Sequence, residues 1–421
     1  MIFLYGLILP ILAIKLSLLI LLAFLIQPKF RAGFWQKIGF YNKNTSNKET
    51  ILIHAVSVGE VNAVENLVKR IRKEYPDNYI VLSTTTKTGQ DVAHNKLANY
   101  TDEIIYFPYD FFFSVISCLK AIKPNRVIIA ETEIWPMFAY VANKMNISLV
   151  LVNGRISPTS YSGYKHLRFF FKEVLSWFSK ILMQTQGDKE RMIDIGALAD
   201  KCDVMGNLKF DIDKNLTPQE VEELKNSVKL GENRLFVVAS THKGEDEIAL
   251  NVFAKIKEKN ADAKLLIAPR HPQRYEQVED LIKKTGYNYS KRSLNGDFGQ
   301  NDIIMLDTMG ELSKIFSLAY LAFIGGSFSN TGGHNPLEAN IWDVPVISGP
   351  TIFNFKDIYK LLTREGAASI VKTEEEFVIL AQEFYADKKY HDNVSSICHS
   401  IFDNSRGALN YVINYLKSDK N

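Results

Sequence analysis

Cysteine is nearly absent from this chain. Cys118, Cys202 and Cys398 are scattered through 421 residues, an odd number spaced too widely for a disulfide framework or a CxxC-type zinc site. That usage suits a reducing compartment. Charge of one sign is also missing. Fifty Lys+Arg against 47 Asp+Glu leave +3, so overall charge gives no ground for nucleic-acid binding, and any anionic partner must be met by local clusters. The chain carries neither a low-complexity tract nor a short-period repeat, which excludes solenoids and arrays. Hydrophobic residues at 46% and charged residues at 23% are ordinary globular proportions and exclude both wholesale disorder and a polytopic membrane protein. What is present is length: at about 150 residues per domain, room for two to three domains with real cores.

One long apolar run stands at the N-terminus. Residues 1–26 are apolar apart from Pro10, Lys15 and Ser17, and about 20 such residues suffice to span a bilayer. A cleavable signal would carry its cations before the run, whereas Lys29, Arg31 and Lys37 follow it. The pattern predicts a retained membrane anchor over 1–28, with the trailing cations holding the rest of the chain on the cytoplasmic side. Lys15 leaves open a helix lying in the interface, and a buried core helix is the plain alternative.

From residue 50 onward, short β-rich runs alternate with helical stretches. The runs are 51–55, 79–83, 103–107, 126–130, 148–152 and 180–184, then 235–239, 263–268, 302–306, 321–324, 344–347 and 369–371. Alternation of this kind predicts parallel strands with crossover helices, here as two α/β units. The junction falls in 209–218, where a polar stretch leads to the helix-starting Thr217-Pro218-Gln219-Glu220. The domains expected are therefore 29–210 and 211–421.

Open α/β sheets bind ligands beyond the carboxyl ends of their strands, and the polar oddities of this sequence sit there. His54-Ala55-Val56-Ser57-Val58-Gly59-Glu60 follows the first strand. Ser57-x-x-Glu60 fits a capping box; alternatively Glu60 faces a cleft and accepts a proton from a substrate hydroxyl. Glu131-Thr132-Glu133-Ile134-Trp135-Pro136 follows the fourth strand. If that strand continues, Glu131 and Glu133 share one side and raise one another's pKa; if a helix begins, they are ordinary first-turn acids. Residues 325–338, Gly-Gly-Ser-Phe-Ser-Asn-Thr-Gly-Gly-His-Asn-Pro-Leu-Glu, offer backbone N–H groups and a helix start to a phosphate. The spacing is neither that of dinucleotide-binding folds nor that of P-loops, and Asn335, Pro336 and Glu338 also read as simple capping. Ser240-Thr241-His242-Lys243-Gly244-Glu245 and Pro269-Arg270-His271-Pro272-Gln273-Arg274 resemble anion-contact loops, though single basic residues there are usually solvated surface. His242, His271 and His334 lack the spacing of a zinc motif, and no metal is expected. Aromatics interleaved with cations at 161–172 and 30–37 suit a membrane surface, or a buried helix with a charged edge.

Taken in order, HAVSVGE, AETEIWP, NGRIS, GNLKFD, STHKGE, PRHPQR, DTMGEL, GGSF…GGHNPLE and ISGPTIFNFKD resemble the Kdo transferases of lipopolysaccharide synthesis across nearly the whole chain. The resemblance implies a GT-B fold, two Rossmann-like domains facing a central cleft behind an N-terminal anchor. It implies an inverting enzyme that moves 3-deoxy-D-manno-octulosonic acid (Kdo) from CMP-Kdo to the lipid A precursor lipid IVA, at the cytoplasmic face of the inner membrane. No metal-dependent DxD site and no cofactor are implied, CMP-Kdo being the donor substrate; the partners are that donor, the lipid A precursor and membrane lipids, not nucleic acid. By the same resemblance Glu60 is the general base, and Glu131 and Lys209 stabilise the transition state. Arg270, His271, Met309, Gly310, Glu311, Asn335, Pro336, Leu337 and Glu338 are the nucleotide-contacting positions. The chain departs from the pattern in two places: Met137 replaces the usual Asn after Trp-Pro, and Gly154-Arg155-Ile156-Ser157 replaces Ala-Arg-Leu-Ser. A GT-B nucleotide-sugar epimerase and a non-catalytic, membrane-tethered nucleotide-binding module are the competing readings. An epimerase would need no anchor, and a module would tolerate Gln at Glu60.

Overall fold

Runs of Val, Ile and Leu become strands here because helices cover both of their faces. In the computed structural model, which describes residues 2–15, 31–212 and 214–419, seven such runs form one sheet: β1 (Thr50–His54), β2 (Tyr79–Thr84), β3 (Glu103–Tyr106), β4 (Arg126–Ala130), β5 (Ser148–Gly154), β6 (Lys180–Met183) and β7 (Cys202–Val204). Every pairing is parallel, in the order β3-β2-β1-β4-β5-β6-β7. Alternate residues feed two separate cores, as a period of two requires. Leu52, Val81, Val127, Ile129 and Leu149 point into one, and Ile51, Ile53, Ile80, Ile128 and Val150 into the other.

A second parallel sheet contains β8 (Arg234–Thr241), β9 (Ala263–Pro269), β10 (Tyr289–Lys291), β11 (Ile303–Met305), β12 (Ala319–Ile324), β13 (Val346–Ser348) and β14 (Ala368–Ile370), in the order β10-β11-β9-β8-β12-β13-β14. All twelve expected strands form, with ends moved by a residue or two. The two that patterning did not reveal, β7 and β10, are three-residue strands at sheet edges, too short to show a period.

The chain divides into unit 1, Met1–Asp211 with Ser405–Asn421, and unit 2, Ile212–Asn404. The division drawn from the sequence differs at the C-terminus, which it left in the second domain. The physical reason is the helix Ala408–Ser418, whose Ala408, Val412, Ile413 and Leu416 complete the second core of unit 1. Asp211 receives the chain there, accepting the backbone N–H groups of Gly407 (2.8 Å) and Leu409.

At the N-terminus the described helix is Ile2–Lys15, 14 residues or about 21 Å at 1.5 Å per residue, short of the roughly 30 Å of a bilayer core. Residues 16–30, which carry the rest of the apolar run, lie outside the described residues. Among the described residues no helix is long and apolar enough to cross a membrane. Ile2 is buried in the first core of unit 1. Lys37, one of the cations that trail the apolar run, is buried with its ammonium 4.8 Å from the Tyr106 ring centre.

Candidate active site

In unit 1 the strand order reverses between β1 and β4, so the loops that follow these two strands diverge and leave a crevice at the carboxyl edge. Glu60 belongs to the first turn after β1, and Glu131 follows β4 directly. Topology thus brings together two acids 71 positions apart in the chain.

Glu60 is buried, 8% exposed. Its Oε2 accepts the Val56 N–H at 2.6 Å and its Oε1 accepts the Ser57 hydroxyl at 3.1 Å. No capping box forms, because the Ser57 hydroxyl is turned to the carboxylate and bonds no first-turn N–H. The contrast is Thr217–Glu220, where both halves of the box are made. Burial pushes the Glu60 carboxyl up to about 7, with the Val56 N–H opposing and the charges of Glu131 and Glu133 adding to the rise.

The strand does not continue through Glu131. Its φ of 55° turns the chain into the left-handed region, and the next helix, Pro136–Lys144, has no acid in its first turn. Neither expected geometry for the two acids holds, yet they remain close: burial and the charge of Glu131 raise Glu133. Glu131 pairs with Lys209, Oε1 to Nζ at 3.0 Å. The lysine is presented by a single turn, Leu208–Phe210, whose flanking side chains are buried. That turn is tied to the end of β5 by the Leu208 N–H donating to Asn153 Oδ1 at 3.0 Å. Thr132 and Arg155 staple the β4 and β5 loops together, the Arg155 N–H donating to Thr132 Oγ1 at 2.8 Å. The buried Glu60 is therefore coupled through charge to the half-buried Glu131, which in turn pairs with the half-buried Lys209.

In unit 2 the order reverses between β8 and β12, which places the loops after those strands at the corresponding crevice. The glycine-rich loop is not open to a phosphate in the way its sequence suggests. Glu245, almost fully buried, fills it. Its carboxylate accepts four backbone N–H groups: His242 (2.8 Å), Gly326 (2.7 Å), Ser327 (2.8 Å) and Phe328 (2.7 Å). A side chain on Gly325 would meet the Ser240 carbonyl oxygen at 2.6 Å, and Gly326 has φ +71°, so both glycines serve this internal contact. The helix expected at Pro336 is one turn, Leu337–Asn340, with the Leu337 N–H donating to Asn335 Oδ1 at 3.2 Å. A turn that short contributes little dipole.

Three histidines gather at the same edge. His242 and His334 face each other, Nε2 to Nε2 at 3.0 Å, so one carries the shared proton, and His271 lies edge-on to His242. Burial, then Arg270 and the neighbouring imidazoles, push His334 down to about 4; burial also lowers His242. Both are neutral at pH 7. Arg274, expected to meet an anion, is instead committed to Asp246 and to the Thr241 carbonyl (2.9 Å). Arg270, His271 and Glu338 are exposed. Met309 is 75% exposed, and Glu311 is held by Arg292 at 2.8 Å. Among the described residues no three His, Cys, Asp or Glu are arranged as metal ligands. Sequence reasoning placed Glu245 only within an anion-contact loop, since a buried acid that binds backbone N–H groups far along the chain leaves no periodic or motif signal.

Residues 32–212 match the family described as 3-deoxy-D-manno-octulosonic-acid transferase (kdotransferase). Over 397 residues the chain is 31% identical to the 3-deoxy-D-manno-octulosonic acid transferase of Haemophilus influenzae, covering 93% of this chain and 92% of that one. This chain belongs to the Kdo transferase family. A bifunctional glycosyltransferase/methyltransferase of Fusobacterium nucleatum is 36% identical over 89% of this chain, which spans 59% of that longer protein. The structure of a UDP-GlcNAc 2-epimerase from Neisseria meningitidis superposes with a TM-score of 0.52 over 88% of this chain and all of that one, at 11% identity. That likeness concerns fold alone: epimerases and GT-B transferases share two parallel-sheet α/β units. Family membership makes this Kdo transferase a glycosyltransferase, and the epimerase and non-catalytic readings fall away.

Proposed function

We propose that this Kdo transferase moves Kdo from CMP-Kdo to a hydroxyl of the lipid A precursor with inversion, and that Glu60 is the general base. The observation that carries the reading is the Glu60 carboxyl. It is buried at the β1/β4 crevice, oriented by the Val56 N–H and the Ser57 hydroxyl, and raised to about 7, where a base works best at neutral pH. Glu60 takes the acceptor hydroxyl proton as the hydroxyl oxygen bonds to the anomeric carbon of Kdo, and the bond from that carbon to the CMP phosphate oxygen breaks. Charge develops with opposite signs on the two fragments, negative on departing phosphate and positive at the sugar carbon. Lys209 answers the first and Glu131 the second.

Unit 2 holds the donor. With Gly326, Ser327 and Phe328 N–H groups already satisfied by Glu245, the phosphate is left to Arg270 and His271, and the nucleoside to the 309–311 and 335–338 segments. The apolar N-terminal run ties the enzyme to the cytoplasmic face of the inner membrane, where the acceptor resides. Incubating the purified chain with CMP-Kdo and tetraacyl lipid A precursor, then weighing the lipid by mass spectrometry, should show added Kdo. An unchanged lipid mass would overturn the proposal.

A further inference from the structure

The helix Pro136–Lys144 follows directly on the 131–135 loop that carries Glu131, so whatever fixes its first turn also fixes that loop. Its own N-cap residue is Trp135, which supplies no capping side chain. The cap comes from elsewhere. Asp110, buried in the loop after β3, accepts the Met137 N–H at 3.0 Å on Oδ2 and the Phe138 N–H at 2.8 Å on Oδ1. The Tyr5 hydroxyl of the N-terminal helix donates to the same Oδ2 at 2.9 Å. Burial raises the Asp110 carboxyl to about 6 while all three donors oppose the rise, so each of them helps keep it ionised and able to cap.

The contact extends beyond one hydrogen bond. Ile2 lies in the same apolar core as Met137 and Phe138. The Tyr5 ring packs on Phe170, centres 5.7 Å apart. Gly6 approaches so closely that a side chain there would meet Met137 Cε at 2.8 Å. Met137 is thus the surface on which the N-terminal helix sits.

We infer that the N-terminal helix is a working part of the catalytic unit as well as a tether, with Tyr5 and Asp110 as positioning residues that hold the first turn of Pro136–Lys144 and, through it, the Glu131 loop. The inference rests on the reading of Glu131 as a site residue.

The test uses the full chain in detergent with Tyr5→Phe, which keeps the ring packing and removes only the hydroxyl. Amide hydrogen exchange at Met137 and Phe138 should quicken by about tenfold, the effect of losing one charge-assisted hydrogen bond, with β8 amides as the unmoved control. Turnover on detergent-dispersed acceptor should fall by about three- to tenfold while KM for CMP-Kdo and CMP affinity hold, since the donor is bound in unit 2. Asp110→Asn should act the same way and more strongly. Unchanged exchange at both amides, or faster exchange with wild-type turnover, would overturn the inference. If the wild-type chain transfers no Kdo at all, the transfer reading fails, and the exchange data alone decide whether the latch exists.

Discussion

Glu60 has a stability consequence as well as a catalytic one. Its folded pKa of about 7 lies above the ordinary 4.5, so between those values the folded protein holds more protons than the unfolded chain, and stability falls as pH rises through the window. Glu60→Gln removes that penalty. At pH 8 the variant should be more stable than wild type by up to about 3 kcal/mol, the gap closing by pH 4 to 5; denaturant melts at the two pH values check this. The same substitution should bind CMP-Kdo normally and lose about 10²–10⁴-fold in transfer rate. A stable Gln variant with wild-type turnover would eliminate Glu60 as the base. For the wild type, turnover at saturating substrate should rise through about pH 7 as Glu60 deprotonates, and a flat profile from pH 6 to 8 would contradict the assignment. In unit 2, Glu245→Ala strands four backbone N–H groups, two of them buried, and should cost about 3 kcal/mol or more, read as a lowered unfolding midpoint. Glu338→Ala, on the exposed side of its turn, should weaken CMP binding by calorimetry, and an unchanged affinity would contradict its assignment to the nucleotide.

The informative elements are those that close a unit from a distance. The helix Ala408–Ser418 contributes four buried residues to the core of unit 1 and is capped by Asp211. Ending the chain after Asn404 removes them all. Burying a large aliphatic side chain contributes about 1.5–3 kcal/mol, so the truncation should unfold unit 1 at a much lower temperature while the CMP affinity of unit 2 persists. Equal loss of both would show that the two units unfold as one. Glycine matters at element scale as well: the β12 loop needs Gly325 and Gly326 to let Glu245 reach its backbone.

At the scale of the whole molecule, removing residues 1–28 should leave CMP affinity intact and lower turnover on vesicle-borne acceptor. Because Tyr5 and Ile2 pack on unit 1, turnover should also fall on detergent-dispersed acceptor. A loss confined to vesicles would reduce the segment to a tether.

Much of this architecture was legible along the chain. Two α/β units followed from alternating apolar runs and helical stretches, because strands buried on both faces must be apolar throughout and parallel pairing requires a crossover each time. Glu60 and Glu131 stand out by sitting beyond strand ends, whereas Lys209 is marked only by the resemblance of the ordered motifs to the Kdo transferases. Other features were decided only by the tertiary structure. Whether Ser57 and Glu60 cap a helix or present an acid depends on where one hydroxyl points. Whether a glycine-rich loop faces a phosphate or an internal carboxylate depends on Glu245, 81 residues from Gly326. The return of the last helix to unit 1, the short edge strands β7 and β10, and the Tyr5–Asp110 contact across 105 residues are long-range too. Local sequence records propensity and periodicity; it carries no mark of a partner that only the closed sheet brings within 3 Å.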